Sequence, residues 1–377
     1  MNGTQYASVD LTRFQRMALL VGAAALVVCA LGAASSPAQF FQSYLFAFLF
    51  WAGIALCCFA LVMLHNLVGG GWGVAVRRLI ESGTKTLPLV ALLILPLLAG
   101  MRHLYIWARP EAVAADELLQ HKSPYLNVPF FVGRTVFYFA VWIVIAWLLN
   151  KWTSNGVAEG RARALSGPGI LLFGLTVTFA SIDWVMSLEP HWFSTIYGIV
   201  FMVGQVLATL AFLIAALMLL ARSRPVGDPL RPQSLHDLGN LMLAFVMLWA
   251  YVAFSQYLII WSGNLPEELP WYVKRLRGGW GWFAGALIGF HFILPFLLLL
   301  SRQNKRRLGA LAAIAGGMIV MRLVDLYWIV TPAFHGRQLH FHWMDLASPI
   351  GVGGIWLAGF AWNLKKQPVP AAAGGAH

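Results

Sequence analysis

The sequence predicts an all-α polytopic membrane protein of about ten spans. Three observations carry that expectation. Hydrophobic residues fill 60% of 377 positions and charged residues only 11%, against about 25% charged in an ordinary soluble domain. The apolar residues come in long runs with no water-facing side, and roughly 20 such residues are enough to cross a bilayer core as a helix. Backbone in lipid must satisfy its own hydrogen bonds, which leaves helices or closed barrels. The runs are too continuous for barrel strands, which alternate over about ten residues.

Taken in order, the runs place spans at about 14–34, 40–68, 86–105, 129–150, 167–187, 195–221, 237–262, 279–300, 307–330 and 344–364. The first follows Met1-Asn2-Gly3 without a small-residue cleavage site, so it reads as an uncleaved span. The second carries His65 and Asn66 near its end, and the third closes on Arg102 and His103. Arg134 lies roughly 8 Å into the fourth, and Asp183 about 24 Å along the fifth. Glu189 and His191 sit in the turn after the fifth span. The seventh opens on Ser234-Leu235-His236-Asp237, where Ser234 and Asp237 have the spacing of a helix N-terminal cap, and closes near Gln256. His291 lies near the middle of the eighth. Arg322 and Asp325 lie about 22 and 27 Å along the ninth. Residues 1–364 thus form one integral membrane domain. The Lys365–His377 tail, rich in Pro, Ala and Gly, is expected to be disordered and cytoplasmic.

The formal charge of +12 is a topology signal. With the N-terminus inside, seventeen Lys and Arg fall on inner segments and six on outer ones. That bias predicts cytoplasmic termini and an even number of spans. Basic residues scattered over short loops do not make a nucleic-acid patch. No soluble catalytic domain or nucleotide loop is expected from these residues.

An ionisable group inside a span needs a partner or a function. Arg102, His103, Arg134, Asp183, Glu189, His191, Gln256, Arg322 and Asp325 all fall in the outer half. They are candidate proton-relay or quinone-pocket residues, in one pocket or two. His65, His236 and Asp237 are candidates for proton entry on the inner side. Each has a plainer reading. Arg322 and Asp325, three residues apart, face the same way and can neutralise each other. Arg102 and His103 can snorkel to the interface. Asp183, before the interfacial Trp184, can be a solvated span end, although no cation lies within four residues of it on its own helix. The Ser234–Asp237 segment can simply cap a helix.

Redox ligands are sparse. Cys29, Cys57 and Cys58 lie inside apolar runs and read as buried small hydrophobes. There is no Cys-x-x-Cys and no four-cysteine set for an iron–sulfur cluster. His65, His103 and His291 fall at inner, outer and central depths, so they do not pair as haem b ligands. No cofactor and no metal site is expected in this chain.

Several stretches carry a family likeness: Tyr125-Leu126-Asn127-Val128-Pro129-Phe130, the run from Asp183 to Thr195, His236-Asp237-Leu238, and Phe254 to Trp261 followed by Asn264-Leu265-Pro266-Glu267-Glu268. Together they resemble the ActF membrane subunit of bacterial alternative complex III, a quinol:electron-acceptor oxidoreductase. The likeness covers most of the chain from the third span to the ninth and is weak at the N-terminal region and the tail. The chain lacks the long His-rich insertion between the first two spans found in some members. The resemblance implies an NrfD-like fold of two four-helix bundles with flanking helices. It also implies a bacterial cytoplasmic membrane and partner subunits: an ActC-like NrfD-type subunit, an ActB-like iron–sulfur subunit and ActA- and ActE-like c-type cytochromes. Haem c and the clusters would belong to those partners, with quinone or quinol nearby. The expected function is a membrane subunit without its own redox centre, contributing proton-relay groups, a quinone- or lipid-facing wall and assembly contacts. Such a subunit is not expected to be catalytic alone. The alternatives are a stand-alone secondary transporter with a pocket of Asp183, Arg134 and Arg322, and a purely structural membrane anchor.

Overall fold

Each apolar run closes its own backbone as a helix. The computed structural model describes residues 10–154, 159–221, 232–336 and 338–367. Among these, the helices long and apolar enough to cross a membrane are Leu11–Ala33, Pro37–Val68, Val128–Trp152, Gly160–Leu188, Tyr197–Ala221, Pro232–Gly263, Trp280–Leu300, Leu308–His335 and Met344–Lys366. A bent pair, Gly71–Thr84 and Leu87–Ala99, supplies a tenth crossing if counted as one span. The ordinals used for the sequence runs apply to these helices.

The third span departs from the continuous 86–105 helix expected. It is broken into Leu87–Leu93, Leu95–Ala99 and Met101–Leu104, and it meets the preceding helix at 41°. Pro96 has no N–H to give, and its ring collides with the carbonyl four residues back. Gly100 sits under the Phe41 ring, where a Cβ would lie 2.2 Å from a ring carbon. The eighth span is also irregular. It widens into a π turn over Leu287–Ile293, next to Pro295. Pro295 cannot donate to the carbonyl of His291, and a π turn accommodates that lost bond.

The seventh helix starts at Pro232, two residues ahead of Ser234. Proline suits a first helical position because its missing N–H has no partner there anyway. Ser234 and Asp237 therefore lie inside the helix and do not form the cap that their spacing suggests. The last helix runs through Lys366, so Lys365 and Lys366 belong to it. The rest of the predicted tail, 368–377, lies outside the described residues.

The second to fifth spans pack as one group and the sixth to ninth as another. The second span is almost wholly buried, because it touches the first bundle, the sixth and ninth spans, and the tenth. The first and tenth spans pair with each other along their length. Their crossing is a backbone contact, and a Cβ on Gly22 would lie 2.7 Å from the Ile355 nitrogen. Small residues at such crossings let helix backbones approach in lipid. Both described chain ends lie at one end of the bundle, where Lys365 Nζ is 3.5 Å from Thr12 Oγ1. We call this the terminal face and the opposite end the far face.

Candidate functional site

The polar residues separate into distinct clusters. In the first bundle, Arg134 of the fourth span meets Asp183 of the fifth side-on. Nε to Oδ2 is 2.9 Å and Nη2 to Oδ1 is 2.8 Å. Tyr138, one turn below Arg134, donates to Asp183 Oδ2 at 2.8 Å. Arg134 Nη1 donates to the Tyr125 carbonyl at 3.0 Å, and its guanidinium stacks on the Tyr125 and Phe130 rings. Asp183 is 0% exposed. A bidentate pair with both ends further hydrogen-bonded is the arrangement in which a buried ion pair holds. The cation that Asp183 lacks on its own helix is therefore supplied by the neighbouring one.

A cavity of about 390 Å³ opens beside this pair towards the far face, lined by His121, Lys122, Tyr125, Met186, Ser187 and Trp192 among others. Lys122 Nζ donates to the Pro190 carbonyl at 2.6 Å, and burial lowers its pKa. Burial also raises the pKa of Tyr125.

A second far-face cluster is built on Glu189. Lys274 Nζ donates to its Oε1 at 2.8 Å, and Arg275 Nη2 donates to its Oε2 at 2.7 Å. Burial pushes the Glu189 carboxyl up, but the two cations outweigh burial and hold it below its usual range. Arg275 is buried and also donates to the carbonyls of Trp271, Trp328 and Ile329. It thereby ties the seventh-to-eighth connection to the end of the ninth span.

The third cluster lies deep in the second bundle. Arg322 Nη1 bonds Asp325 Oδ2 within the ninth span, as their spacing predicts. Both are buried. Gly204 makes room for the guanidinium, because a Cβ there would lie 2.2 Å from Nη1. The Trp249 indole is directed at Asp325, and its ring stands 4.3 Å from that of His291. Unlike the Asp183 pair, this cluster is under-satisfied. Among the described residues, Arg322 Nε and Nη2 and both ring nitrogens of His291 are buried without a hydrogen-bond partner. Buried polar atoms are nearly always paired, with ordered water as the partner where protein offers none.

The remaining predicted residues are dispersed. His191 reaches Asp116 at 2.7 Å on the surface. Backbone bonds and His191 outweigh desolvation to hold the Asp116 carboxyl low. Gln256 accepts from Ser194 and donates to Tyr272, both at 3.2 Å. Arg102 and His103 are exposed, and His103 stacks on Phe41. At the terminal face, His65 Nδ1 lies 2.9 Å from Arg77 Nη1, which also donates to Asn66. His236 bonds Asn240, whose carbonyl oxygen accepts from Lys305 at 2.7 Å. Asp237 bonds Gln233 on the same helix. Asp183, Arg134 and Arg322 do not form one set, since Arg322 belongs to the Asp325 pair in the other bundle.

One cluster has no counterpart among the sequence candidates. Asp345, at the start of the tenth span, accepts from Gln39, Ser43, Tyr327 and the backbone N–H of His342. His335 and His340 stack with centroids 3.9 Å apart and bond Gln42 and Gln39. The signal for it in the sequence is three histidines and an aspartate within eleven residues. Stacked rings do not converge on a point, and no metal-binding group of His, Cys, Asp or Glu occurs among the described residues. Arg275 is only a loop charge in the sequence. Tyr138, one turn from Arg134, is open to the same helical spacing argument as Arg322 and Asp325.

No family model matches the chain. It is similar to a selenate reductase subunit of Mesobacillus selenatarsenatis, 28% identical over 207 residues, which cover 50% of this chain and 47% of that protein. The chain thus spans about half the length of the curated relative it matches. What stands is an all-α, multi-pass membrane protein with a distant likeness to a reductase subunit.

Proposed function

We propose that this chain is the membrane subunit of a respiratory oxidoreductase complex and that it handles protons rather than electrons. The observation that carries this reading is the under-satisfied cluster of Arg322, Asp325 and His291 deep in the second bundle. A structural anchor has no need of titratable groups at that depth, where unpaired polar atoms are costly. Water held among them would join His291, a group that can take and give a proton, to the Arg322–Asp325 pair. The Asp345–histidine cluster at the far face offers further titratable groups.

The likeness to a selenate reductase subunit supports a place among the subunits of a redox complex. The run from Asp183 to Thr195 and its companion stretches favour the NrfD-like, alternative complex III type, with iron–sulfur and c-haem partners carrying the electrons and quinol as donor. The bacterial cytoplasmic membrane, with termini inside, follows from the same likeness and the charge bias. Asp183 and Arg134 act chiefly as scaffold in this reading.

His291→Phe tests it. Phenylalanine keeps the packing against Trp249, removes the titration and leaves no charge behind. The variant should assemble with full haem content yet lose proton release coupled to quinol oxidation. Unchanged coupling would remove the proton role. Purification of the wild-type chain without haem or iron–sulfur partners would remove the complex.

A further inference from the structure

We infer that the connection between the ninth and tenth spans is a strap on the far face, held shut at neutral pH by the stacked rings of His335 and His340 and released in acid. His335 ends the ninth span, and Gly336 follows it at φ +61°, a backbone turn that suits glycine. Residues 338–343 lead on to the tenth span, with Leu339, Phe341 and Trp343 exposed and His340 and His342 half-buried between them. Two imidazole bonds pin this connection to the second span. His335 Nε2 lies 3.0 Å from Gln42 Oε1, and His340 Nε2 lies 3.1 Å from Gln39 Oε1. Gln39 Nε2 donates to both Ser43 and Asp345, so the amide oxygen is left to accept from His340. Behind these bonds Asp345 and Ser43 are buried.

The charges around the rings set the switch. Asp345 accepts from Gln39, Ser43, Tyr327 and the His342 backbone, and all four donors are neutral. A buried carboxylate with neutral partners favours a proton on a nearby imidazole. The ring centroids of His335 and His340 are 3.9 Å apart, so a second proton would set like charges face to face. The two rings therefore titrate as a pair, with the first proton taken readily and the second resisted. The other titratable groups around them can be named. His342 lies 6.3 Å from His340, centroid to centroid, and its Nδ1 accepts from the Met344 backbone at 3.3 Å. The Tyr327 hydroxyl donates to the His340 carbonyl, and its ring meets Trp280 and Phe283 of the eighth span. His103 of the third span stacks on Phe41, the neighbour of Gln42. The first span presents Gly32 to Trp343 and Met344, with no charge. Both rings of the pair are half-buried, so protons from the far side reach them. Once acid forces the second proton on, repulsion parts the rings and pulls them off Gln39 and Gln42. Residues 338–343 then swing about Gly336 and bare Asp345 and Ser43 to water.

The test uses the full chain in nanodiscs, spin-labelled at Leu339→Cys on the strap and Ala114→Cys on another far-face loop. The native cysteines are buried, which directs the labels to the introduced ones. Pulsed electron–electron resonance reads the distance between the labels from about pH 8 to about pH 4.5, on either side of the ordinary histidine value of about 6.5. The labelled parent should give one distance at the upper end, and a second population should grow in below the ordinary histidine value. His335→Gln and His340→Gln each keep an N–H to donate to the second span and leave one titratable ring in the pair. Both should hold the single distance throughout. His342→Gln, outside the pair, should still open. Size-exclusion profiles matching the parent show that each variant is folded. No second population in acid, or opening at an unchanged midpoint in either variant of the pair, would overturn the proposal. So would loss of opening in His342→Gln alone. Variants of the pair that are both open already at the upper end would do the same, because ring packing and not titration would then hold the strap.

Discussion

The two bundles each bury a carboxylate–guanidinium pair, and the pairs differ in how completely they are satisfied. Asp183 and Arg134 share two parallel bonds, and a tyrosine hydroxyl and a backbone carbonyl take up further valences. Arg322 and Asp325 share one bond, while two guanidinium nitrogens and both ring nitrogens of the neighbouring His291 lack hydrogen-bond partners among the described residues. The first pair is interhelical and locks the fourth span to the fifth. The second lies within one helix, with the Trp249 indole its cross-helix partner, and leaves two nitrogens of its cation without protein partners among the described residues. Burial alone therefore does not identify a working group in a membrane protein. The partners of a buried ion separate scaffold from machinery.

The largest effect expected from this contrast is in the first bundle. Asp183→Asn leaves Arg134 buried beside a neutral amide, a situation that costs about 3–5 kcal/mol. Thermal unfolding in detergent should show a large loss of stability, and yield should fall. An Asn variant as stable as wild type would break the comparison at its root.

Replacing both partners sharpens it. Arg322→Met with Asp325→Leu removes a pair whose further protein partner is the Trp249 indole, so stability should hold or rise, by up to about 4 kcal/mol. Proton coupling should be lost. Arg134→Met with Asp183→Leu strands the Tyr138 hydroxyl and the Tyr125 carbonyl, so it should be the less stable of the two doubles by about 1–3 kcal/mol per orphaned group. Equal stability of the two doubles would mean that satisfaction does not distinguish the bundles.

The same contrast shows what the sequence can reveal. Span positions follow from hydropathy because lipid leaves the backbone no other choice. The Arg322–Asp325 pair follows from a spacing of three residues on one helix. The partner of Asp183 is 49 residues away, and depth along a helix gives only a shared level, not contact. Arg275 counts as a loop charge until the fold shows its guanidinium among three carbonyls and Glu189. Asp345 starts a span like any interfacial acid, because the Ser43 and Gln39 that hold it are about 300 positions earlier. The break in the third span is signalled by Pro96, whose effect on a helix is local. Local chemistry is therefore readable, and pairings across helices are not.

A smaller effect should follow acidification at the far face. The folded pKa of Glu189 lies below its ordinary value because Arg275 and Lys274 outweigh burial. A depressed folded pKa adds stability above the unfolded value, and that contribution disappears as pH falls through the folded one. Stability should be flat in this respect at neutral pH and decline below the ordinary carboxylate range. Glu189→Gln should remove that part of the acid sensitivity. An unaltered acid profile in the Gln variant would assign the loss to other carboxylates.

The smallest effect is expected at His191, which the sequence presents as a strong functional candidate because it stands in the densest stretch of family likeness. Its ring meets Asp116 at 2.7 Å, as close as Arg275 meets Glu189. The surroundings differ: His191 is 56% exposed, whereas Arg275 is 1% exposed. Water and salt screen a surface pair and compete for both partners, so little net stabilisation survives. His191→Asn should leave the unfolding temperature unresolved from wild type at low and high salt alike. Arg275→Gln should lower it clearly under both conditions, since it strands Oε2 of Glu189 and three backbone carbonyls, leaving Lys274 as the cation on that carboxylate. If His191→Asn proves as damaging as Arg275→Gln, exposure is the wrong guide. The Asp116–His191 contact would then have to be shielded in the protein's working state, by lipid or by a partner subunit docked on the far face.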